Sequence, residues 1–150
     1  KESLETINLN CVVPTRLMHM IIPYMNKGSH LINMSSGAAF ICQPGFAVYA
    51  ASKAYILSLG DALSKELRHR NIYVTTVCPG AVNTPFITKS QKYAKIRWFK
   101  KLIMANERCV VHLALWDSKK KKTRSIYGIY MLLFSVVCKV IPLKILMKFM

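Results

Sequence analysis

Residues 47–80 read AVYAASKAYILSLGDALSKELRHRNIYVTTVCPG, and the change of pattern midway through this stretch decides the fold. From Ala47 to Arg70 apolar and small residues fill the first two turns. Asp61, Lys65, Glu66 and Arg68 then mark a wetter face, as in a helix with one side against a core. From Ile72 to Cys78 the β-branched run IYVTTVC predicts a strand, which stops at Pro79-Gly80. Upstream, HLINMS at His30–Ser35 predicts a short buried strand after the turn signal Lys27-Gly28. Residues 37–46, with two glycines and Pro44, read as a loop. A strand, a helix and a strand in that order predict two parallel strands joined by the helix.

Further out, Glu2–Asn26 reads as a helix, with Leu4, Ile7, Val12, Leu17, Met18 and Ile22 among its apolar positions. Downstream, residues 83–105 mix basic and aromatic side chains. Asn106 is placed to cap a helix to about Trp116, with Glu107 in its first turn. Residues 124–130 predict a third strand, and an apolar tail broken by Pro142 follows. The whole is an α/β protein with about three parallel strands and flanking helices, in one domain.

Of the 150 residues 53% are hydrophobic, enough for a packed core and against a disordered chain. The five cysteines are scattered, odd in number and form no C-x-x-C pair, so free thiols in a reducing cytoplasm are expected and a zinc site is not. The four histidines are dispersed and read as structural or surface residues. The 22 Lys+Arg against 6 Asp+Glu allow attraction to nucleic acid, anionic lipid or an acidic substrate. Nucleic acid is not the expected partner, because no helix-turn-helix, zinc-finger or aromatic-interleaved RNA motif accompanies the charge.

The chemistry lies in Tyr49-Ala50-Ala51-Ser52-Lys53. Positions i and i+4 of a helix share a face, so Lys53 can hold its ammonium near the Tyr49 hydroxyl. A phenol of ordinary pKa near 10 is a poor base at neutral pH, and a nearby cation favours the phenolate. Alone, Y-x-x-x-K is a common accident of basic helices. Ser36 stands thirteen residues earlier at the carboxyl end of a predicted strand. The next strand delivers Pro79-Gly80-Ala81-Val82-Asn83-Thr84 to the same edge, where open α/β sheets bind ligands.

NMSSGAAF, YAASKA and VCPGAVNTPF, in this order and spacing, resemble the short-chain dehydrogenase/reductase family, most firmly over residues 10–86. The resemblance implies the C-terminal half of a Rossmann-like doubly wound parallel sheet. It implies NAD or NADP as cofactor, and interconversion of a ketone and a secondary alcohol. By the same resemblance Tyr49 is the general acid/base. Lys53 lowers the phenol pKa and bonds the nicotinamide ribose, and Ser36 polarises the substrate carbonyl. Asn10 supports a proton relay, with Asn8 the competing position. Tyr49, Lys53, Pro79, Gly80, Val82 and Thr84 form the cofactor-binding set. Ser35 supports the loop. Homodimers or homotetramers are implied as well.

The sequence departs from the family pattern in lacking its T-G-x-x-x-G-x-G turn and N-A-G segment, which cradle the pyrophosphate. The chain is therefore expected to be the catalytic portion of a longer protein, inactive alone. The rival is a degenerate copy acting as a basic membrane-surface or nucleic-acid binding module. Residues 85–105 fall where the family has its substrate lid, and their apolar members suggest a lipophilic, steroid- or acyl-like ketone. An ordinary amphipathic helix on the core fits them equally. For residues 126–150, Pro142 and three lysines argue against a spanning helix. Pocket cover or a subunit contact is preferred there to membrane-surface contact, so the expected setting is the cytoplasm with membrane association as the variant.

Overall fold

In the computed structural model, residues 2–82 and 105–146 are described. The chain opens with a continuous helical run: α1 (Glu2–Ile7), a π-helical segment (Asn8–Val12), α2 (Val13–Ile21) and a 3-10 turn (Ile22–Tyr24). The expected helix is present, two residues shorter and widened in the middle. Then come β1 (His30–Met34), a 3-10 turn (Gly37–Phe40) inside the expected loop, and α3 (Ala47–Glu66) with a 3-10 extension (Leu67–Arg70). Asn71, in the left-handed region at φ 55°, closes that helix and turns the chain into β2 (Tyr73–Val77). The remainder is α4 (Glu107–Lys119), β3 (Arg124–Ser125), and the pair α5 (Ile129–Val140) and α6 (Leu143–Leu146).

The three strands are parallel in the order β1-β2-β3, with Leu31 beside Val74 and Asn33 beside Thr76. The chain thus has the expected α/β, Rossmann-like arrangement. One face of the sheet packs on α2 and α3 through Met18, Leu31, Ile56, Leu67, Ile72 and Val74. Val77 lies on the other face with Val110 and Ala114 of α4. Asn106 caps α4 as expected, its side chain accepting from the Arg108 N–H at 2.9 Å. Asp117 near the end of α4 is buried, accepts from Ser125 Oγ at 2.8 Å and pairs with Lys122 at 2.7 Å. That network anchors the short β3 under α4.

β3 is where the expectation fails. The predicted strand over 124–130 pairs for two residues only, and Ile129 begins a helix. The ladder to β2 ends where the Cys78 N–H donates to Ser125 O, and Pro79 faces the other neighbour, its carbonyl accepting from the Gly37 N–H. Gly128, at φ 88°, then makes the sharp reversal into α5 that a residue with a Cβ resists. β1 forms the other margin, with Ile32 and Met34 exposed on the α4 side.

Candidate active site

The ladder between β1 and β2 continues past both strands. Ser35 N–H donates to Val77 O at 2.9 Å and Gly37 N–H to Pro79 O at 2.7 Å, so Ser36 is held at the carboxyl edge of the sheet. Its backbone is extended and its Oγ accepts from the Ala38 N–H at 3.1 Å, capping the 3-10 turn. A hydroxyl that accepts in this way keeps its proton to donate.

Helix α3 is pinned to the same edge. Ser35 Oγ donates to the Lys53 carbonyl at 2.7 Å, and Lys53 Nζ donates to the Met34 carbonyl at 3.3 Å. The ammonium therefore sits at the end of β1, 5.8 Å from the centre of the half-buried Tyr49 ring one turn away. Burial draws the Lys53 pKa below the ordinary 10.5, with Cys11 pulling the other way. The Cys11 thiol is in turn pushed up by burial, against the pull of Lys53. In the window between the lowered folded value of Lys53 and 10.5 the unfolded chain binds more protons, so stability should rise with pH there. Urea midpoints measured across that window should climb more for the parent than for Lys53→Met; parallel profiles would show that Lys53 is not strained by burial.

Asn10 belongs to the π-helical segment, where the Val13 N–H bonds to Asn8 O instead of the α-helical partner. Asn10 Nδ2 donates to Ser52 Oγ at 3.0 Å, and Ser52 Oγ donates to the Tyr49 carbonyl at 2.7 Å. Cys11 Sγ lies 3.8 Å from the Ser52 carbonyl, while Asn8 is exposed. Asn10 thus reaches the backbone of the Tyr49 turn through Ser52, a link across 42 residues that no local pattern announces.

Beyond β2, Pro79 is buried, Gly80 is half-buried, and Val82 bridges in parallel to Ala105. Thr84, and residues 85–104 of the expected lid, lie outside the described residues. An unexpected member is Met131, in the first turn of α5. A Cβ on Gly37 would collide with its Cε, and one on Gly80 would stand 3.1 Å from its Sδ. The two glycines beside Ser36 and Pro79 let this thioether approach. An open apolar cleft of ≈ 560 Å³, lined among others by Phe40, Ile41, Ala51, Cys138 and Leu143, lies on another stripe of α3 than Tyr49 and Lys53.

A parallel α/β sheet whose carboxyl edge gathers a serine and a Tyr-x-x-x-Lys helix defines a Rossmann-like site of the short-chain dehydrogenase type. Residues 1–95 match the family described as short chain dehydrogenase, and the chain belongs to that family. It is 36% identical over 91 residues to the 3-oxoacyl-[acyl-carrier-protein] reductase FabG of Thermotoga maritima, covering 59% of this chain and 37% of that one. A short-chain dehydrogenase from Sphingobium yanoikuyae in complex with NADPH superimposes with a TM-score of 0.70 at 27% identity, over 83% of this chain and 48% of that one. The bulky-bulky ketone specific alcohol dehydrogenase of Comamonas testosteroni gives 0.65 at 27% identity, over 81% and 45%. The chain therefore spans about half the length of these solved structures and less of the curated relative.

Proposed function

We propose that this chain carries the catalytic end of an NAD(P)-dependent reductase that interconverts a lipophilic ketone and its secondary alcohol. The observation that carries the reading is the Lys53 ammonium, held by the Met34 carbonyl at the end of β1 and one turn from Tyr49. The residues present fit the nicotinamide–ribose end of the cofactor. Lys53, held at the carboxyl end of β1, is a cationic donor suited to ribose hydroxyls. An NADPH-bound relative supports the same cofactor class. When bound, the nicotinamide supplies the hydride.

The protein's part is the proton and the geometry. Ser36 donates a hydrogen bond to the carbonyl oxygen and orients it, and Tyr49 gives that oxygen its phenolic proton. The Lys53 charge stabilises the phenolate that remains. Through Ser52, Asn10 holds the Tyr49 turn in place and links it to the end of a proton relay. Pro79, Gly80, Val82 and Thr84 line the nicotinamide. The apolar residues of the 85–105 lid and the bulky-ketone relative support a lipophilic substrate. Exposed apolar residues on α2, among them Leu17 and Met20, support a homodimer or homotetramer. Five free cysteines support a reducing, cytoplasmic setting.

The native protein, supplied with NADPH or NADH and ketones of increasing apolar bulk, should consume reduced cofactor fastest with the bulkier members. No consumption with any ketone, despite cofactor binding, would reject the reaction.

A further inference from the structure

We propose that α5 and α6 form a monotopic contact with an anionic lipid bilayer. Helix α5 is twelve residues of IYMLLFSVVCKV in which no residue is buried. Its half-buried positions, Met131, Phe134, Ser135 and Cys138, recur at helical spacing and face the protein, Met131 against Gly37 and Gly80. The opposite stripe is Ile129, Leu132, Leu133, Val136, Val137 and Val140, each between 40% and 74% exposed. A helix that is apolar on both sides needs an apolar medium on the side this chain does not cover.

Three observations point to lipid as that medium. The stripe is edged by Tyr130 on one flank and Lys139 on the other, by the 100° step of the helix, and side chains of these types place a polar tip at a membrane surface. After the break at Pro142, α6 repeats the arrangement, with Leu143 and Ile145 each 49% exposed and Lys144 between them. From Ile126 to the last residue of the sequence there are three lysines, Lys139, Lys144 and Lys148, and no acidic residue. This is the charge that complements anionic headgroups.

The contact lies on the surface and does not cross it. Twelve helical residues extend about 18 Å, against a hydrocarbon core of about 30 Å. No helix among the described residues is long and apolar enough to cross a membrane. The inference stands apart from the catalytic reading, since it needs neither cofactor nor turnover.

Its test is co-sedimentation of the full chain with vesicles of phosphatidylcholine alone and of phosphatidylcholine mixed with phosphatidylglycerol. Binding should favour the anionic vesicles and weaken with added salt. Lys139→Gln with Lys144→Gln should lower partitioning by more than about tenfold. Leu133→Glu with Val136→Glu, both at exposed positions and so compatible with the fold, should abolish it, with circular dichroism unchanged. Equal recovery of parent and Leu133→Glu/Val136→Glu chains with anionic vesicles would overturn the proposal. So would failure of the parent to bind while the same pair of changes converts a dimer to a monomer in sedimentation velocity, which would assign the stripe to a second copy.

Discussion

Tyr49→Phe should lower kcat by about 10²–10⁴-fold. The substitution removes one oxygen and keeps the ring. Lys53 can still sit over that ring, as it does at 5.8 Å, and its bond to the Met34 carbonyl does not involve the phenol. Ser52 bonds to the backbone of residue 49, not its side chain, so the tie to Asn10 also survives. What disappears, on the proposed role of Tyr49, is the proton for the carbonyl oxygen, a loss felt more in the transition state than in cofactor binding. The check is a pair of measurements on the native protein: turnover of a ketone that the parent reduces, and cofactor affinity by fluorescence titration. A fall in turnover with affinity within a few-fold supports the assignment. Undiminished turnover would show that another group delivers the proton.

The second large effect concerns the scaffold, and two principles disagree about its sign. Gly60 lies inside α3, where intrinsic helix propensity says that alanine should stabilise by about 1 kcal/mol. Packing says the opposite. A Cβ at position 60 would collide with Thr76 Oγ1 and stand 3.3 Å from both Thr76 Cβ and Asn33 Nδ2. Thr76 is wholly buried in β2 and Asn33 is buried in β1, so neither has room to retreat. Overpacking of this kind costs about 1–3 kcal/mol, and we expect it to win, with Gly60→Ala destabilising the fold in urea titration. Thr76→Ala offers the rescue. It removes a hydroxyl that is buried without a hydrogen-bond partner among the described residues, together with the atom that the added methyl group would strike. The double variant should then be more stable than Gly60→Ala alone, a coupling expected of residues in direct contact. If Gly60→Ala raises the urea midpoint, the close approach of α3 to the sheet is softer than its geometry implies.

These two sites also mark what the sequence makes legible. Tyr49 and Lys53 can be paired in advance because their relation is local: four residues on a helix share a face whatever surrounds them. β1 and β2 are readable for a similar reason, as short β-branched or apolar runs ended by a turn or a proline. The strand expected over 124–130 is not. IYGIY has the composition of a strand, but a strand also needs a partner, and the ladder offered by β2 ends at the bond from Cys78 to Ser125, which another part of the chain sets. The same holds within the site. Asn10 can be singled out, yet its contact is Ser52, and nothing in either neighbourhood announces the other. Met131 gives no signal at all in the sequence. Its place depends on two glycines that are far apart in the chain, Gly37 and Gly80, and on the reversal at Gly128.

The widened turn at Asn8–Val12 has a bearing on how this chain can vary in length. Where a helix carries one residue more than its α-helical spacing accommodates, that residue can be lost without breaking the helix on either side. The cost is rotational: a one-residue deletion would swing everything before it by about 100° relative to α2. Asn10 and Cys11 both reach Ser52 from this single turn, and after such a deletion only one of the two positions could still do so. Natural variants one residue shorter here should therefore have had to rebuild the attachment to the Tyr49 turn, and a gap of that size in this helix would record the change more plainly than any substitution nearby.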